Sequence, residues 1–346
     1  MISRPNPFAE IIMQAAVISE FNAPWQVKQV ADVRPEAGQV LIRVRASGMC
    51  GTDLHVHHGL FPLKPPFVAG HEPTGDIVEL GAGVTDLKVG DRVGVFWNQK
   101  GCGRCATCQK GMPARCENGC STWMNLGGGN SELMLAWASG CQLLPDGVSY
   151  EEAAPIFCAG YTVMSGIRNA TPKPGERVAV LGVGGLGHLA VQLSKAVGLE
   201  TLAVTGQENK RAELKSFGAD DVVIAGENIG KSLQDLGGVD VILSTTNSAK
   251  QIASAFDGLR AGGRLVNMGI ADAPIAVNTL PLLARQRELR GSTLDERADL
   301  AEALAFLAQG KIKPKIETYP LAQVNAVRDR LDAGKVRYRA VLLHAS

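Results

Sequence analysis

Arg177-Val178-Ala179-Val180-Leu181-Gly182-Val183-Gly184-Gly185-Leu186-Gly187 is the stretch that decides the fold of this chain. A short apolar, β-branched run enters a G-x-G-x-x-G turn, and the residues from Gly187 to Val197 then carry helical spacing. Gly182 permits the tight turn, Gly184 lets the backbone approach a pyrophosphate, and Gly187 lets the helix pack closely on the strand. Gly185 and Leu186 complete the loop, and the helix N-terminus faces the negative charge. An ordinary glycine-rich turn explains the bare motif. The strand before it and the helix after it point instead to a dinucleotide cradle.

Downstream, apolar segments alternate with amphipathic ones. Strands are expected at Thr201–Thr205, Val222–Ile224, Val239–Ser244, Arg264–Met268 and Glu288–Ser292. Such alternation implies a doubly wound parallel sheet with helices on both faces, the Rossmann arrangement of an α/β protein. Leu300–Leu307 and Leu321–Ala333 read as helices. Arg339–Leu343 reads as a final strand without a neighbour of its own, so it is expected to return to an earlier domain. Upstream, Pro172, Pro174 and Gly175 break the texture. Residues 10 to 150 read as short strands punctuated by Gly and Pro, for example Gln39–Ala46, Thr74–Glu79 and Arg92–Phe96, hence a mostly β domain.

The length, 346 residues, exceeds what one core usually serves, so two domains are expected. With 35 basic and 34 acidic residues, no electrostatic reason exists to expect nucleic acid or an anionic membrane as partner. The first residues lack the charged and apolar pattern of an export signal, and no apolar run is long enough to span a bilayer. The expected location is therefore cytoplasmic. In a reducing compartment, cysteines are metal ligands or free thiols rather than disulfides.

Four of the eight cysteines, Cys102, Cys105, Cys108 and Cys116, form a C-x2-C-x2-C-x7-C run. That spacing is too tight for ordinary disulfides and suits one tetrahedral zinc. Four thiolates close such a site, so it serves structure and the reaction lies elsewhere. Cys50, Cys120, Cys141 and Cys158 are scattered singly. Cys50 sits in Gly48-Met49-Cys50-Gly51-Thr52-Asp53-Leu54-His55, His71 in Gly70-His71-Glu72, and Cys158 in Ile156-Phe157-Cys158-Ala159-Gly160-Tyr161-Thr162.

In order and spacing, these segments, the quartet and the glycine motif resemble the zinc-dependent medium-chain alcohol dehydrogenases, nearest their short tetrameric yeast and bacterial branch. The likeness runs from about residue 15 to the C-terminus. It implies a GroES-like, mostly β catalytic domain over residues 1–159 and 294–346 and a Rossmann domain over 160–293. It also implies two zinc ions per chain. One is held by Cys50, His71 and Cys158 with Glu72 at its border and a position left open; the other is held by the quartet.

By the same resemblance, Asp53 orients the ligand imidazole. Thr52 takes the substrate hydroxyl proton and passes it through the cofactor ribose to His55, an imidazole being able to exchange protons near neutrality. Thr162 lies against the nicotinamide, Arg339 reaches the pyrophosphate, and Phe61 and Trp97 wall an apolar substrate channel. Gly51 stands where relatives often carry His or Arg, which removes one cationic contact to the cofactor. His57 and His58 receive no role and read as surface loop. Ser121–Asn130, with Trp123 and three consecutive glycines, matches no motif. Cys120 and Cys141 read as structural or free thiols.

At the end of the second strand of the sheet, NAD binders usually place an acid for the ribose. Here Thr205-Gly206-Gln207 stands there, with Lys210 and Arg211 close behind. A missing carboxylate and nearby cations favour NADP(H), while Glu208 and a solvated-face reading of the two cations keep NAD(H) open. The expected function is interconversion of primary alcohols and aldehydes, in a homotetramer. The alternatives are an NAD-dependent ethanol-type dehydrogenase and a non-catalytic nucleotide-binding relative that keeps only structural zinc.

Overall fold

The computed structural model describes residues 13–31, 33–124 and 126–344. The reading of the N-terminus as free of an export signal concerns residues outside these, as do both ends of the expected first domain. Six parallel strands form the nucleotide-domain sheet, in the order Asp221–Ile224, Glu200–Thr205, Arg177–Leu181, Val239–Ser244, Leu259–Asn267, Glu288–Gly291. Numbered along the chain, that is 3-2-1-4-5-6, with the order reversing beside the first strand, where a dinucleotide binds in folds of this type. Arg177–Leu181 pairs on one side with Glu200–Thr205 and on the other with Val239–Ser244. Helix Gly187–Ala196 follows the glycine turn directly.

The expected elements stand with small shifts. The fifth strand begins at Leu259 rather than Arg264, because an irregular Arg260–Gly263 passage still pairs through Leu259 with Val239. Several helices, Gly51–His57 and Ala159–Ala170 among them, escaped the sequence reading. Ala159–Ala170 is buried along nearly its whole length, only Arg168 and Asn169 reaching solvent.

The first domain holds a seven-stranded sheet built on the long strand Gln39–Met49, which pairs with Glu72–Leu80, Leu133–Trp137 and Arg339–Leu343. The C-terminal strand therefore does return to this sheet, antiparallel to Gln39–Met49 and parallel to Ile316–Pro320. A small three-stranded sheet, with Met13–Ile18 between Gln26–Val30 and Phe67–Val68, covers it. The two units meet in a continuous apolar layer in which Phe96 and Phe157 join Val180, Leu189 and Leu304. Among the described residues no helix is long and apolar enough to cross a membrane.

His344, almost wholly buried, is pushed down to about 4 by that burial. It stays neutral in the fold but binds a proton in the unfolded chain below about pH 6.5. The unfolded state thus holds more protons in this window, and stability falls as pH falls. His344→Phe is expected to flatten the loss between pH 6 and 5 by about 1 kcal/mol. Urea midpoints of both proteins check this; parallel slopes would refute it.

Candidate active site and metal centres

Three strands end at one place. Gly48 faces Glu72 across one pairing, and Met49 faces Ala340 across another. One step beyond these pairs, Cys50, His71 and Arg339 come side by side. Gly48 must lack a side chain, since a Cβ there would stand 1.9 Å from Glu72 Oε2.

Cys50 also caps the helix Gly51–His57. Its Sγ accepts the Thr52 N–H at 3.3 Å, and Asp53 Oδ2 accepts the Cys50 N–H at 2.9 Å. This capping box fixes Thr52 and Asp53 next to the thiol. Asp53 Oδ1 lies 3.4 Å from His71 Nδ1, near enough to attract it though not aligned as a hydrogen bond. Cys158 arrives from the far end of the same unit, at the start of helix Ala159–Ala170.

The ligand atoms of Cys50, His71, Glu72 and Cys158 all lie within 4.8 Å of one another, and all four residues are buried. Cys50 Sγ is 3.1 Å from His71 Nε2, and Glu72 Oε1 is 3.7 Å from the same nitrogen. Arg339 donates to Glu72 from the far side. A hydrogen bond from Cys158, aided by His71, holds the Cys50 thiol well below its ordinary value despite burial. Burial alone would lower His71, but the Cys50 thiolate and Asp53 outweigh it and raise the imidazole. Burial pushes Glu72 up to about 7 against the pull of Arg339. His71 Nδ1, Glu72 Oε2 and Arg339 Nε have no hydrogen-bond partner. Two sulfurs, an imidazole and unsatisfied buried polar atoms form a donor set that fits zinc.

The quartet forms a second centre. The sulfurs of Cys102, Cys105, Cys108 and Cys116 lie within 4.8 Å of one another, and all four are free thiols. Backbone N–H groups of Cys102, Cys105 and Cys108 each point at a neighbouring sulfur at 3.4 Å. Such donation favours thiolates. The Arg104 and Cys105 N–H groups draw Cys102 down to about 6. This set fits a closed four-sulfur zinc site.

Beside Cys50 and Cys158 opens a cavity of about 440 Å³ lined by Thr52, His55, Phe61, Trp97, Thr162 and Leu186, among others. It brings together residues from both units. The Trp97 and His71 ring centres lie 5.0 Å apart at a steep angle, and the Trp97 and Phe61 ring centres 6.3 Å apart. Behind both stands Trp123, which the sequence left unassigned. It is buried, with φ 58, and meets Phe61 at 5.6 Å and Trp97 at 5.2 Å, edge to face. Its backbone accommodates this through the Trp123 N–H to Gly127 O bond at 2.7 Å. The glycine run after it was the available signal. Thr293 and Leu294, from the loop after the last parallel strand, close the cavity and carried no signal at all.

At the glycine turn, Gly182 has φ 84, and a Cβ on Gly187 would stand 2.0 Å from the Gly182 carbonyl oxygen. Gly184 has open space where a side chain would be. A cavity of about 450 Å³ follows this loop to Thr205, Gly206, Gln207 and Lys210, and no carboxylate lines it among the described residues. Space, glycines and strand ends fit a dinucleotide. Arg211 is not among the lining residues; Glu208 and the Val222 carbonyl take its guanidinium. Arg339 bonds Glu72 and also runs past the loop, since a Cβ on Gly185 would lie 3.2 Å from its Nη1. His57, expected on the surface, is buried and accepts the Trp25 indole N–H at 3.2 Å. His58 does stay at the surface, against Asn22.

Residues 36–146 match the alcohol dehydrogenase GroES-like domain, and residues 185–309 match the zinc-binding dehydrogenase domain. An alcohol dehydrogenase of Geobacillus stearothermophilus is 41% identical over 334 residues, 95% of this chain and 99% of that protein. An aldehyde reductase of Synechocystis is 34% identical, over 89% of this chain and 92% of its own. The crystal structure of the alcohol dehydrogenase from Aeropyrum pernix superposes with a TM-score of 0.88 at 32% identity, covering 95% of this chain and 99% of that one. Identity of this extent, over a chain that carries both cysteine centres and the glycine turn, makes the protein a member of the zinc-dependent medium-chain alcohol dehydrogenase family.

Proposed function

We propose that the chain interconverts primary alcohols and aldehydes with NADP(H) as preferred cofactor. The observation that carries this reading is the convergence of Cys50, His71 and Cys158 on a cavity that also holds Thr52 and His55. Cys50, His71 and Cys158, with Glu72 at the border, would hold a zinc ion, which would supply Lewis-acid polarisation of the substrate oxygen, and a bound nicotinamide would supply the hydride chemistry. The chain's own residues do the rest. Asp53 steadies the His71 ring, as carboxylates do for ligand imidazoles. Thr52 takes the hydroxyl proton of the substrate, and His55, lining the same cavity, exchanges it with solvent. Phe61 and Trp97, backed by Trp123, narrow the channel toward apolar substituents on a primary carbon. Thr162 limits the nicotinamide side.

The cofactor preference is supported by the absence of a lining carboxylate at Thr205–Gln207 and by Lys210 at that cavity. With Arg211 held by Glu208, Lys210 is the cation offered to a 2′-phosphate. We read residues 160–293 as the nucleotide unit and 1–159 with 294–346 as the catalytic unit. A homotetramer is supported by the uncovered edge strand Glu288–Gly291 and by Leu280 and Leu283, 70% and 75% exposed beside it. Eight free thiols support a cytoplasmic location.

Initial rates on aldehydes of rising chain length, with each cofactor, test the reading. NADPH is expected to give at least about tenfold higher kcat/KM, the scale of one charge-assisted contact. A preference for NADH would overturn the cofactor assignment and leave the NAD-dependent reading.

A further inference from the structure

Tyr338 holds φ 71, a left-handed backbone that bulky residues rarely adopt. Such a conformation costs on the order of 1–3 kcal/mol and persists only where its surroundings enforce it. The consequence is that the arginines on either side of it, Arg337 and Arg339, diverge. Arg337 donates to Glu213 Oε1 at 2.7 Å on the nucleotide unit, while Arg339 turns inward to Glu72.

The Tyr338 side chain is itself anchored on the nucleotide unit. Its ring stacks on His188 at 4.8 Å and 30°, and its hydroxyl donates to Glu213 Oε2 at 2.7 Å. Lys315 Nζ reaches the same carboxylate at 2.8 Å. His188, fully buried, then connects two segments. Its Nδ1 donates to the Gly185 carbonyl at 2.9 Å, and its Nε2 accepts the Lys315 N–H at 3.1 Å. Burial keeps this ring neutral, pushed down to about 3, which leaves one nitrogen free to accept. Gly185 is therefore tied through His188 to Tyr338, and a Cβ on Gly185 would lie 3.0 Å from the Tyr338 carbonyl oxygen.

We propose that Tyr338 and His188 form a bracket between the two units, fixing the gap between the glycine loop and Arg339 and so setting affinity for the cofactor pyrophosphate. Both act as positioning residues, since neither needs to touch the cofactor. The inference rests on reading Gly182–Gly187 as the pyrophosphate cradle. Arg339 Nε, buried and without a hydrogen-bond partner, gives the gap a waiting donor.

The test is calorimetric titration of the zinc-loaded protein with NADPH and with NADH, alongside steady-state kinetics and thermal melting. His188→Phe keeps the stack and removes the bond to Gly185; Tyr338→Phe keeps the ring and removes the bond to Glu213. Losing one such bond corresponds to about threefold to tenfold. Cofactor Kd and KM are expected to rise about tenfold in H188F and about threefold in Y338F. The double variant should stay near tenfold, because one bracket is broken once. Alcohol KM and kcat at saturating cofactor should change less than about twofold. Side chains that only packed would lower the melting temperature and leave Kd alone, and that result would overturn the proposal. So would a loss confined to kcat. Should H188F not fold, Y338F alone decides, by raising cofactor Kd or leaving it at the wild-type value. A wild type that binds neither cofactor removes the cradle reading, and the bracket with it.

Discussion

Cys158→Ser is expected to lower alcohol oxidation by at least about a thousandfold, equivalent to about 4 kcal/mol of lost transition-state stabilisation. Serine preserves the size of the side chain and its place at the start of helix Ala159–Ala170. What disappears is a soft sulfur donor, one of two that zinc would find beside His71. The serine hydroxyl can still donate to the Cys50 sulfur, as the Cys158 thiol does, so the loss isolates the missing ligand rather than a change in Cys50. Metal content should fall from about two zincs per chain to about one, with the quartet centre intact because it shares no residue with this site. Cofactor titration should be nearly unchanged. A variant that keeps most of its kcat/KM would show that Cys158 is a buried thiol without a role in the reaction.

The second large effect concerns stability. Arg339→Met is expected to destabilise the fold by about 3–5 kcal/mol, because it strands the Glu72 carboxylate without its cation. Glu72 and Arg339 are both almost fully buried and bond to each other. Burial already raises Glu72 to about 7 against the pull of Arg339, so removing the guanidinium raises it further, and the destabilisation is largest at alkaline pH, where the carboxylate stays charged. Adding Glu72→Gln to Arg339→Met should recover most of the stability, since a neutral amide needs no counter-charge. It should not recover cofactor affinity, because the donor facing the Gly185 loop remains absent. Urea unfolding and cofactor titration of the three variants separate the two roles. Equal stability in Arg339→Met and wild type would refute the pairing.

The cofactor turn and the quartet were legible because their chemistry is local. A glycine forced to φ 84, or four sulfurs within fifteen residues, leaves its mark in consecutive sequence. Cys50, His71 and Cys158 became readable only jointly, through the resemblance, since each alone is an ordinary core residue. The rest depended on long-range register. Nothing in the chain announces that residues 267 positions apart, Glu72 and Arg339, share a hydrogen bond. Trp123 was hidden for a related reason. Its role comes from what stands in front of it, Phe61 and Trp97, and no spacing rule links those three positions. His57 was misplaced because a polar residue next to an exposed one reads as surface, whereas the Trp25 indole supplies it a buried partner.

The central claim is that the two cysteine centres divide the work, the quartet for structure and Cys50, His71 and Cys158 for the reaction. Stepwise removal of zinc by a chelator, with metal content, alcohol oxidation and far-ultraviolet circular dichroism followed on the same samples, addresses it most directly. The open, three-ligand centre should release its ion first. Activity should then fall in proportion to the first zinc lost, reaching the baseline at about one zinc per chain, with the fold unchanged and activity restored by added zinc. Full activity persisting at one zinc per chain would contradict the assignment.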